Sequence, residues 1–319
     1  MIHAHDLART FKTRAGPVHA VAGVDLDVAE GEILGFLGPN GAGKTTTLRM
    51  LTTLLEPTAG TATVAGCDLR ADPVGVRRRI GYVPQSGSTL PEARAGEELV
   101  DQARLYGIDV DIARSRRDQL FAQLELDGFA DRLCRSLSGG QRRRLDIAMG
   151  LIHEPRLVFL DEPTTGLDPQ SRANLWNHIR GLRDRLHTTV FLTTHYLDEA
   201  DALCDRILII DHGRIVAEGS PATLKASISG DRITIELVSP DDLATAGAVA
   251  QSMDGASKVT ADGCTIHVHV PASGPALPGL LRQLDERGVG IAAVDVHRPT
   301  LDDVFLSLTG RSLRDDAAA

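Results

Sequence analysis

A glycine-rich segment that ends in a lysine and two threonines is the part of this sequence best suited to chemistry. Gly38–Thr46 fits the pattern G-x-x-x-x-G-K-[ST], with the two fixed glycines at Gly38 and Gly43. An apolar run over residues 33–37 precedes it and a helical pattern over residues 46–54 follows, which predicts a strand, a loop and a helix. The backbone N–H groups of such a loop, with those at the start of the helix, bind phosphate groups.

Each residue type in this loop has a physical reason in the binding of a triphosphate. Glycines let the backbone approach the phosphates, Lys44 offers a positive charge to the β- and γ-phosphates, and the Thr45 hydroxyl is placed to bind Mg²⁺. An ordinary glycine-rich turn is the alternative, but it does not explain the lysine, the threonine and the helix together. The residues predicted to contact the nucleotide are Gly38, Pro39, Asn40, Gly41, Ala42, Gly43, Lys44, Thr45 and Thr46.

A pair of acidic residues follows a predicted buried strand. The apolar run over residues 157–160 is typical of a parallel strand covered on both faces, and it ends in Asp161 and Glu162. Successive strand side chains point to opposite faces, so the two carboxylates can have different roles. Asp161 is placed to organise Mg²⁺, and Glu162 is placed to polarise a water for attack on the γ-phosphorus. His195 follows another buried run, residues 189–193, at the strand end where open α/β sheets bind ligands.

The start of a later helix is a candidate anion site. Ser138 and Gln141 have the S-x-x-Q spacing of a capping box, and an apolar helical face follows over residues 145–152. Gly139 and Gly140 leave this helix N terminus without bulky side chains, so its free N–H groups can bind an anion. The same residues also fit an ordinary helix start, and the pattern alone does not separate the two interpretations.

Phe11 is a candidate for contact with a purine base. It lies in the stretch Arg9–Gly16, which we predict to be a loop, and only 3% of the residues are aromatic. An aromatic ring can stack on a purine, but a phenylalanine can equally belong to the core. Position alone leaves both interpretations open.

Composition and charge disfavour several classes of protein. The chain has 319 residues, which favours two domains, and a net charge of −9 with no long basic block, which disfavours a nucleic-acid partner. Its four cysteines form no C-x-x-C pair and indicate a reducing compartment rather than a disulfide or zinc framework. No apolar run approaches the length that spans a bilayer, so we expect any membrane function to come from another polypeptide.

The order of elements predicts a helical insertion within a β-rich N-terminal part, and then a separate C-terminal part. Residues 1–30 are predicted to be β-rich, and the segment from residue 86 to about 136 is predicted to be helical. Beyond a weak boundary at residues 219–230, no catalytic motif occurs. The order there reads β-α-β-β-α-β, the pattern of a split βαβ, or ferredoxin-like, unit.

Taken together, these motifs resemble the nucleotide-binding subunit of an ATP-binding-cassette (ABC) transporter, over roughly residues 2–225. The sequence LSGGQ between the two phosphate-site motifs is the most specific of them. The matching segments are Gly38–Thr46 (Walker A), Gln85 (Q-loop), Leu137–Gln141 (signature), Leu157–Glu162 (Walker B), Gly166–Asp168 (D-loop) and His195 (switch histidine).

The resemblance implies an α/β fold with named parts. A phosphate-loop NTPase cassette is expected over residues 1–225, with a mixed-sheet core, an N-terminal antiparallel β-subdomain and a helical subdomain over about residues 86–155. A small α+β accessory domain of the ferredoxin-like type is expected over residues 226–319, ending in a short disordered tail.

The resemblance also implies ATP and Mg²⁺ as cofactors and a set of site residues. Two cassettes are expected to pair head to tail, with each ATP between one copy's phosphate loop and the other copy's signature helix. Phe11 then stacks on adenine. The catalytic residues implied are Glu162, His195, Gln85 and Lys44; the metal ligands are Thr45, Gln85 and Asp161; the further nucleotide contacts are Ser138, Gly139, Gly140, Gln141 and Asp168.

The segments "LSGGQRRRLDIAMGLI" and "THYLDEADALCDRI" are similar to those of drug- and antibiotic-resistance exporter ATPases of the daunorubicin-resistance type. Such a subunit is expected at the cytoplasmic face of the cell membrane, as a peripheral protein, bound to a multi-spanning permease and powering efflux of a drug, antibiotic or lipid-like substrate. The alternatives are an ABC ATPase that acts on nucleic acid or ribosomes, and a nucleotide-sensing regulator that does not hydrolyse ATP.

Overall fold

The computed structural model describes residues 1–228 and 230–310, so the predicted C-terminal tail lies outside the described residues. The chain forms two compact units, the first over Met1–Pro221 and the second from Ala222 onward. Within the described residues, no helix combines the length and the apolar character needed to cross a bilayer.

The first unit contains two sheets. Its strands are β1 (Ile2–Thr13), β2 (Gly16–Val28), β3 (Ile33–Leu37), β4 (Ala59–Val64), β5 (Cys67–Asp68), β6 (Ile80–Val83), β7 (Leu157–Asp161), β8 (Thr189–Thr194), β9 (Arg206–Asp211) and β10 (Arg214–Gly219). Its helices are α1 (Lys44–Leu51), α2 (Pro73–Arg79), α3 (Ala95–Leu105), α4 (Val110–Gln123), α5 (Gly139–Leu151), α6 (Pro169–Leu186) and α7 (Leu197–Leu203), and α8 (Pro221–Ala226) lies at the boundary between the units.

The central sheet has the order β10-β9-β3-β8-β7-β6, in which only β10 pairs antiparallel. Strands β3, β7 and β8 are buried along their whole length, as their continuous apolar runs predict. The Phe191 ring of β8 packs against Phe36 of β3 and Phe159 of β7, with centroids 5.6 Å and 5.4 Å away. The three strands therefore end side by side, and the loops that follow them meet at one edge of the sheet.

The second sheet is antiparallel and has the order β2-β1-β4-β5. It contains Phe11, so the predicted position of this residue was wrong. Phe11 lies in β1 and pairs with Val18, rather than in a loop. The prediction was wrong because the stretch lacks apolar alternation: the hairpin is held by its backbone ladder, and only residues 14–15 form the turn. The Phe11 ring is half-buried, and the Arg9 guanidinium lies 4.8 Å from its centroid.

Helices α3, α4 and α5 form the predicted helical part of the first unit. The capping box at Ser138 is confirmed: its hydroxyl accepts from Gln141 N, and the Gln141 side chain accepts from Ser138 N. The apolar face that follows is buried, including Leu145 and Ala148. Ser138 and Gly139 themselves are exposed, so the tip of α5 is accessible.

The second unit confirms the predicted β-α-β-β-α-β order. Its elements are β11 (Asp231–Leu237), α9 (Leu243–Gln251), β12 (Lys258–Asp262), β13 (Thr265–Val270), α10 (Ser273–Glu286), β14 (Ile291–His297) and α11 (Leu301–Thr309). The antiparallel sheet has the order β12-β13-β11-β14, so β13 separates β11 from β12 as in a split βαβ unit.

Candidate functional site

The phosphate-type loop connects β3 to α1 and requires its glycines. Gly43 has φ 110°, a conformation that side chains other than glycine rarely adopt. A Cβ on Gly38 would lie 2.3 Å from the carbonyl oxygen of Ile210, so β9 packs directly against the start of the loop. Gly213 N, in the turn after β9, donates to Ala42 O at 2.9 Å. The end of β9 and the turn after it thus hold the loop at Gly38 and at Ala42.

Replacing Gly38 with alanine is expected to displace the loop because of this close contact. Overpacking of this kind costs about 2 kcal/mol, which lowers the melting temperature by several degrees and weakens ATP binding. Gly247→Ala in α9 is the matched control, since its Cβ would meet nothing within 4 Å. Thermal melting and titration with ATP check this; an unchanged melting temperature in Gly38→Ala would contradict the assigned packing.

The Lys44 side chain lies across this loop and is 4% exposed. Its Nζ donates to Gly38 O at 2.7 Å and Pro39 O at 3.0 Å, and lies 3.5 Å from Glu162 Oε1. Burial lowers the pKa of Lys44, and the neighbouring Glu162 carboxylate opposes that shift. The ammonium is therefore held where the loop carbonyls and a carboxylate meet.

Glu162 is the point on which the predicted catalytic residues converge. Gln85 Nε2 donates to its Oε2 at 2.9 Å, and His195 Nδ1 lies 3.2 Å from the same oxygen. Thr165 Oγ1 also donates to Oε2, at 3.2 Å. Burial alone would raise the pKa of Glu162, but His195, Lys44 and Thr165 together hold it below its ordinary value. The carboxylate is thus kept ionised, as a general base must be.

Asp161 has a different set of partners. Its Oδ1 accepts from Thr45 Oγ1 at 3.2 Å and from Thr193 Oγ1 at 2.7 Å. The two carboxylates do differ in their surroundings, but strand alternation is not the reason. Glu162 lies just beyond β7 at φ 44°, so a left-handed backbone turn aims its side chain.

Four of the predicted nucleotide contacts form a separate group at the tip of α5. Among the described residues, no hydrogen bond or ion pair joins Ser138, Gly139, Gly140 or Gln141 to the phosphate loop. The tip lies instead beside the start of α6, where a Cβ on Gly140 would be 3.3 Å from Ser171 Oγ. Asp168 caps α6 by accepting from Ser171 N and Oγ. Within one chain, then, the phosphate loop and the tip of α5 are two separate parts of the predicted site.

Three residues of the site were missed in the sequence. Thr193 bridges the strands by donating to Asp161 and accepting from Glu162 N at 3.0 Å. Thr165 contacts Glu162, and Arg143 donates to the backbone carbonyls of Asp161 and Pro163. The pairing of β7 with β8 places Thr193 opposite Asp161. Strand adjacency, had it been predicted, would have identified Thr193.

Glu199, four residues after His195, is a carboxyl group with 0% exposure. Trp176 Nε1 donates to its Oε1 at 3.3 Å, and Oε2 has no hydrogen-bond partner among the described residues. Burial raises the pKa of Glu199. The folded chain therefore binds a proton more tightly here than the unfolded chain does, so the stability due to this group is lost as pH rises toward the raised pKa.

Glu199→Gln keeps the shape and the acceptor for Trp176 but removes the titration. We expect the variant to melt at a higher temperature than the parent at pH 8, by a few degrees, and the difference to shrink toward pH 5. Melting curves across this range check the prediction. A difference that stays constant with pH, or that grows as pH falls, would contradict it.

Comparisons with known proteins agree with this geometry. Residues 21–165 match the family described as ABC transporter, and residues 219–309 match the C-terminal domain of DrrA1-3-like ATP-binding proteins. The daunorubicin resistance ATP-binding protein DrrA3 of Streptomyces coeruleorubidus is 44% identical over 96% of this chain and 96% of its own length. The Nod factor export ATP-binding protein I of Paraburkholderia xenovorans strain LB400 is 38% identical over 95% and 96%.

A solved structure shares the architecture of the first unit. It is the ATP-binding cassette MJ0796, a dimer in a post-hydrolysis state bound to ADP and Pi. The two chains superpose with a TM-score of 0.64 at 26% identity, over 69% of this chain and 98% of that one.

Proposed function

Because this chain belongs to the ABC transporter family of ATP-binding proteins, which bind and hydrolyse ATP, we propose that it is the motor subunit of an exporter. The observation that carries the proposal is the convergence on Glu162. Gln85, His195 and Lys44 come from three separate parts of the chain and all reach this one carboxylate beside the phosphate loop. A structural ion pair would not need so many partners from different loops.

The geometry supports a role for each residue within one chain. The N–H groups of residues 41–46 bind the phosphates, and Lys44 Nζ exchanges the loop carbonyls for phosphate oxygens. Glu162 accepts a proton from the attacking water, which Gln85 and His195 help to orient. Phe11 offers adenine the ring face opposite the Arg9 guanidinium.

The second half of the site comes from another copy of the chain. At the exposed N terminus of α5 the capping box uses the N–H groups of Ser138 and Gln141, whereas the N–H groups of Gly139 and Gly140 have no hydrogen-bond partner among the described residues and can bind an anion. In a head-to-tail pair this N terminus meets the γ-phosphate bound by the partner, and Asp168 lies beside it at the start of α6. ATP then joins the two copies, and hydrolysis releases them.

The residues present fit a magnesium ion. Thr45 Oγ1 and Asp161 Oδ1 lie 3.2 Å apart, and the Gln85 amide bonds through Nε2 to Glu162, the residue after Asp161. All three supply oxygen ligands, the type Mg²⁺ prefers, and we propose that they hold it. When bound, the ion neutralises the charge of the β- and γ-phosphates.

We further propose that the chain works as a peripheral protein at the cytoplasmic face of the membrane, on a separate multi-spanning permease. Relatives named for daunorubicin resistance and Nod factor export support export of a drug, antibiotic or lipid-like molecule. The test is affinity purification of the tagged chain from membranes of its own host. A multi-spanning protein that co-purifies and stimulates the ATPase supports the proposal; recovery with ribosomes or nucleic acid, and no membrane protein, contradicts it.

A further inference from the structure

A buried arginine of α5 contacts the backbone on both sides of Glu162. Arg143 lies five residues after Ser138, and its side chain is largely buried. Its Nη2 donates to Asp161 O at 3.0 Å, and its Nε donates to Pro163 O at 2.7 Å. These carbonyls precede and follow Glu162, so one guanidinium fixes the left-handed backbone turn that aims the carboxylate.

The same arginine, with an aspartate one helical turn later, also holds the segment that carries Gln85. Arg143 Nη1 donates to Pro84 O at 2.6 Å. Asp146, 3% exposed, accepts from Ser88 N at 2.8 Å and from Ser88 Oγ at 3.2 Å. Helix α5 therefore bonds to the segment that carries Gln85 at two positions, Pro84 immediately before it and Ser88 three residues after it.

The chemistry of these contacts suits a positioning role. A guanidinium has a rigid set of donors that can bind several carbonyl oxygens in fixed directions, which an amide or an ammonium cannot reproduce. Burying its charge is costly without such partners: burial lowers the pKa of Arg143, and the carboxylates of Asp146 and Asp161 oppose that shift. Because α5 is a rigid helix, Arg143 and Asp146 move with its tip.

Resting on the proposed function, we propose that Arg143 and Asp146 are positioning residues for hydrolysis. They tie the catalytic carboxylate and the Gln85 segment to the helix whose tip binds the nucleotide of the partner copy. Arg143 contacts the backbone beside both Gln85 and Glu162, whereas the hydrogen bonds of Asp146 among the described residues go to Ser88 in the Gln85 segment. Neither is among the residues proposed to contact the nucleotide.

Arg143→Gln is the first test. The amide cannot bond to all three carbonyl oxygens, so the backbone beside Gln85 and beside Glu162 is no longer held by the same side chain. The two side chains are then less well positioned, and kcat should fall by about tenfold to a hundredfold. The KM for ATP should change by less than about threefold, because the phosphate loop is untouched. The magnesium concentration for half-maximal activity should rise, because Gln85 is one of the proposed magnesium ligands. Arg114→Gln is the matched control, an exposed arginine of α4 whose one ion pair among the described residues is with Asp111.

A double-mutant cycle tests the route through Gln85. Asp146→Ala alone should lower kcat by about tenfold, whereas Asp146→Asn, which keeps an acceptor for Ser88 N, should restore most of the rate. In a Gln85→Ala background, Asp146→Ala should cost less than about twofold more, because the segment it holds no longer carries the reacting group.

Activity is normalised to nucleotide-binding sites, so misfolding does not count as loss of kcat. The proposal is overturned if Arg143→Gln retains the parent kcat, or if its loss of kcat only reflects the fraction of folded chain. It is also overturned if the loss of kcat in the double variant of Asp146→Ala and Gln85→Ala equals the product of the two single losses. An inactive parent chain would instead contradict the proposed function. The two failures are therefore distinguishable.

Discussion

Glu162→Gln is expected to slow ATP hydrolysis by about 100-fold to 10,000-fold, the range that a general base contributes. The amide has the shape of the carboxylate and can still contact Gln85 and His195, but it cannot take a proton from water. Nucleotide binding should persist, because Lys44 and the loop N–H groups remain in place. Bound ATP should then hold two copies together, giving a dimer that is stable in size-exclusion chromatography with ATP and absent with ADP.

Glu97→Gln is a suitable control, because the Glu97 carboxylate is exposed on the first turn of α3 and its substitution changes the charge of the chain by the same amount. It should hydrolyse ATP at the parent rate. Normal turnover by Glu162→Gln would remove Glu162 from the role of base, whatever its position in the structure.

Ser138→Arg should abolish hydrolysis while leaving ATP binding to the single chain unchanged. The long side chain occupies the exposed tip of α5, where the γ-phosphate of the partner copy would otherwise meet the helix N terminus. The phosphate loop of the same chain makes no hydrogen bond or ion pair to this tip among the described residues, so it should bind nucleotide normally. Equilibrium titration with ATP and a steady-state ATPase assay separate the two effects.

Mixing Ser138→Arg with Lys44→Ala shows whether the tip acts on the partner copy. Each variant alone lacks one half of every site. A mixed dimer has one site with both halves intact, formed by the loop of the first variant and the tip of the second, so about a quarter of the parent activity should return. Two inactive variants that stay inactive after mixing would mean that the tip serves its own chain.

The parts of the site that lie close together in sequence were predictable. The phosphate loop, Asp161 with Glu162, and the capped tip at Ser138 each carry their chemistry within a few residues. The local geometry of the loop and the tip follows from residue type, whereas the left-handed turn that aims Glu162 was not predicted. The buried strands were equally clear, because continuous apolar runs in an α/β pattern predict parallel strands covered on both faces.

Contacts between distant segments could not be predicted in the same way. Thr193 contacts Asp161 because β8 lies beside β7. A local sequence pattern does not predict which strands are neighbours. Arg143 resembles its neighbours Arg142 and Arg144 in the sequence, yet it alone of the three is buried against the carboxylate backbone. Phe11 was misplaced because its strand is held by backbone pairing rather than by apolar alternation.

Cross-linking between copies tests the central claim most directly. A chain with Asn40→Cys in the phosphate loop is mixed with a chain carrying Gly139→Cys at the tip of α5, both in the Glu162→Gln background, and treated with a short thiol cross-linker. A cross-linked pair should form with ATP and not with ADP, and a parent chain with only its native cysteines should not form it. If the two positions fail to cross-link with ATP, or do so equally without nucleotide, then ATP is not held between two copies of this chain.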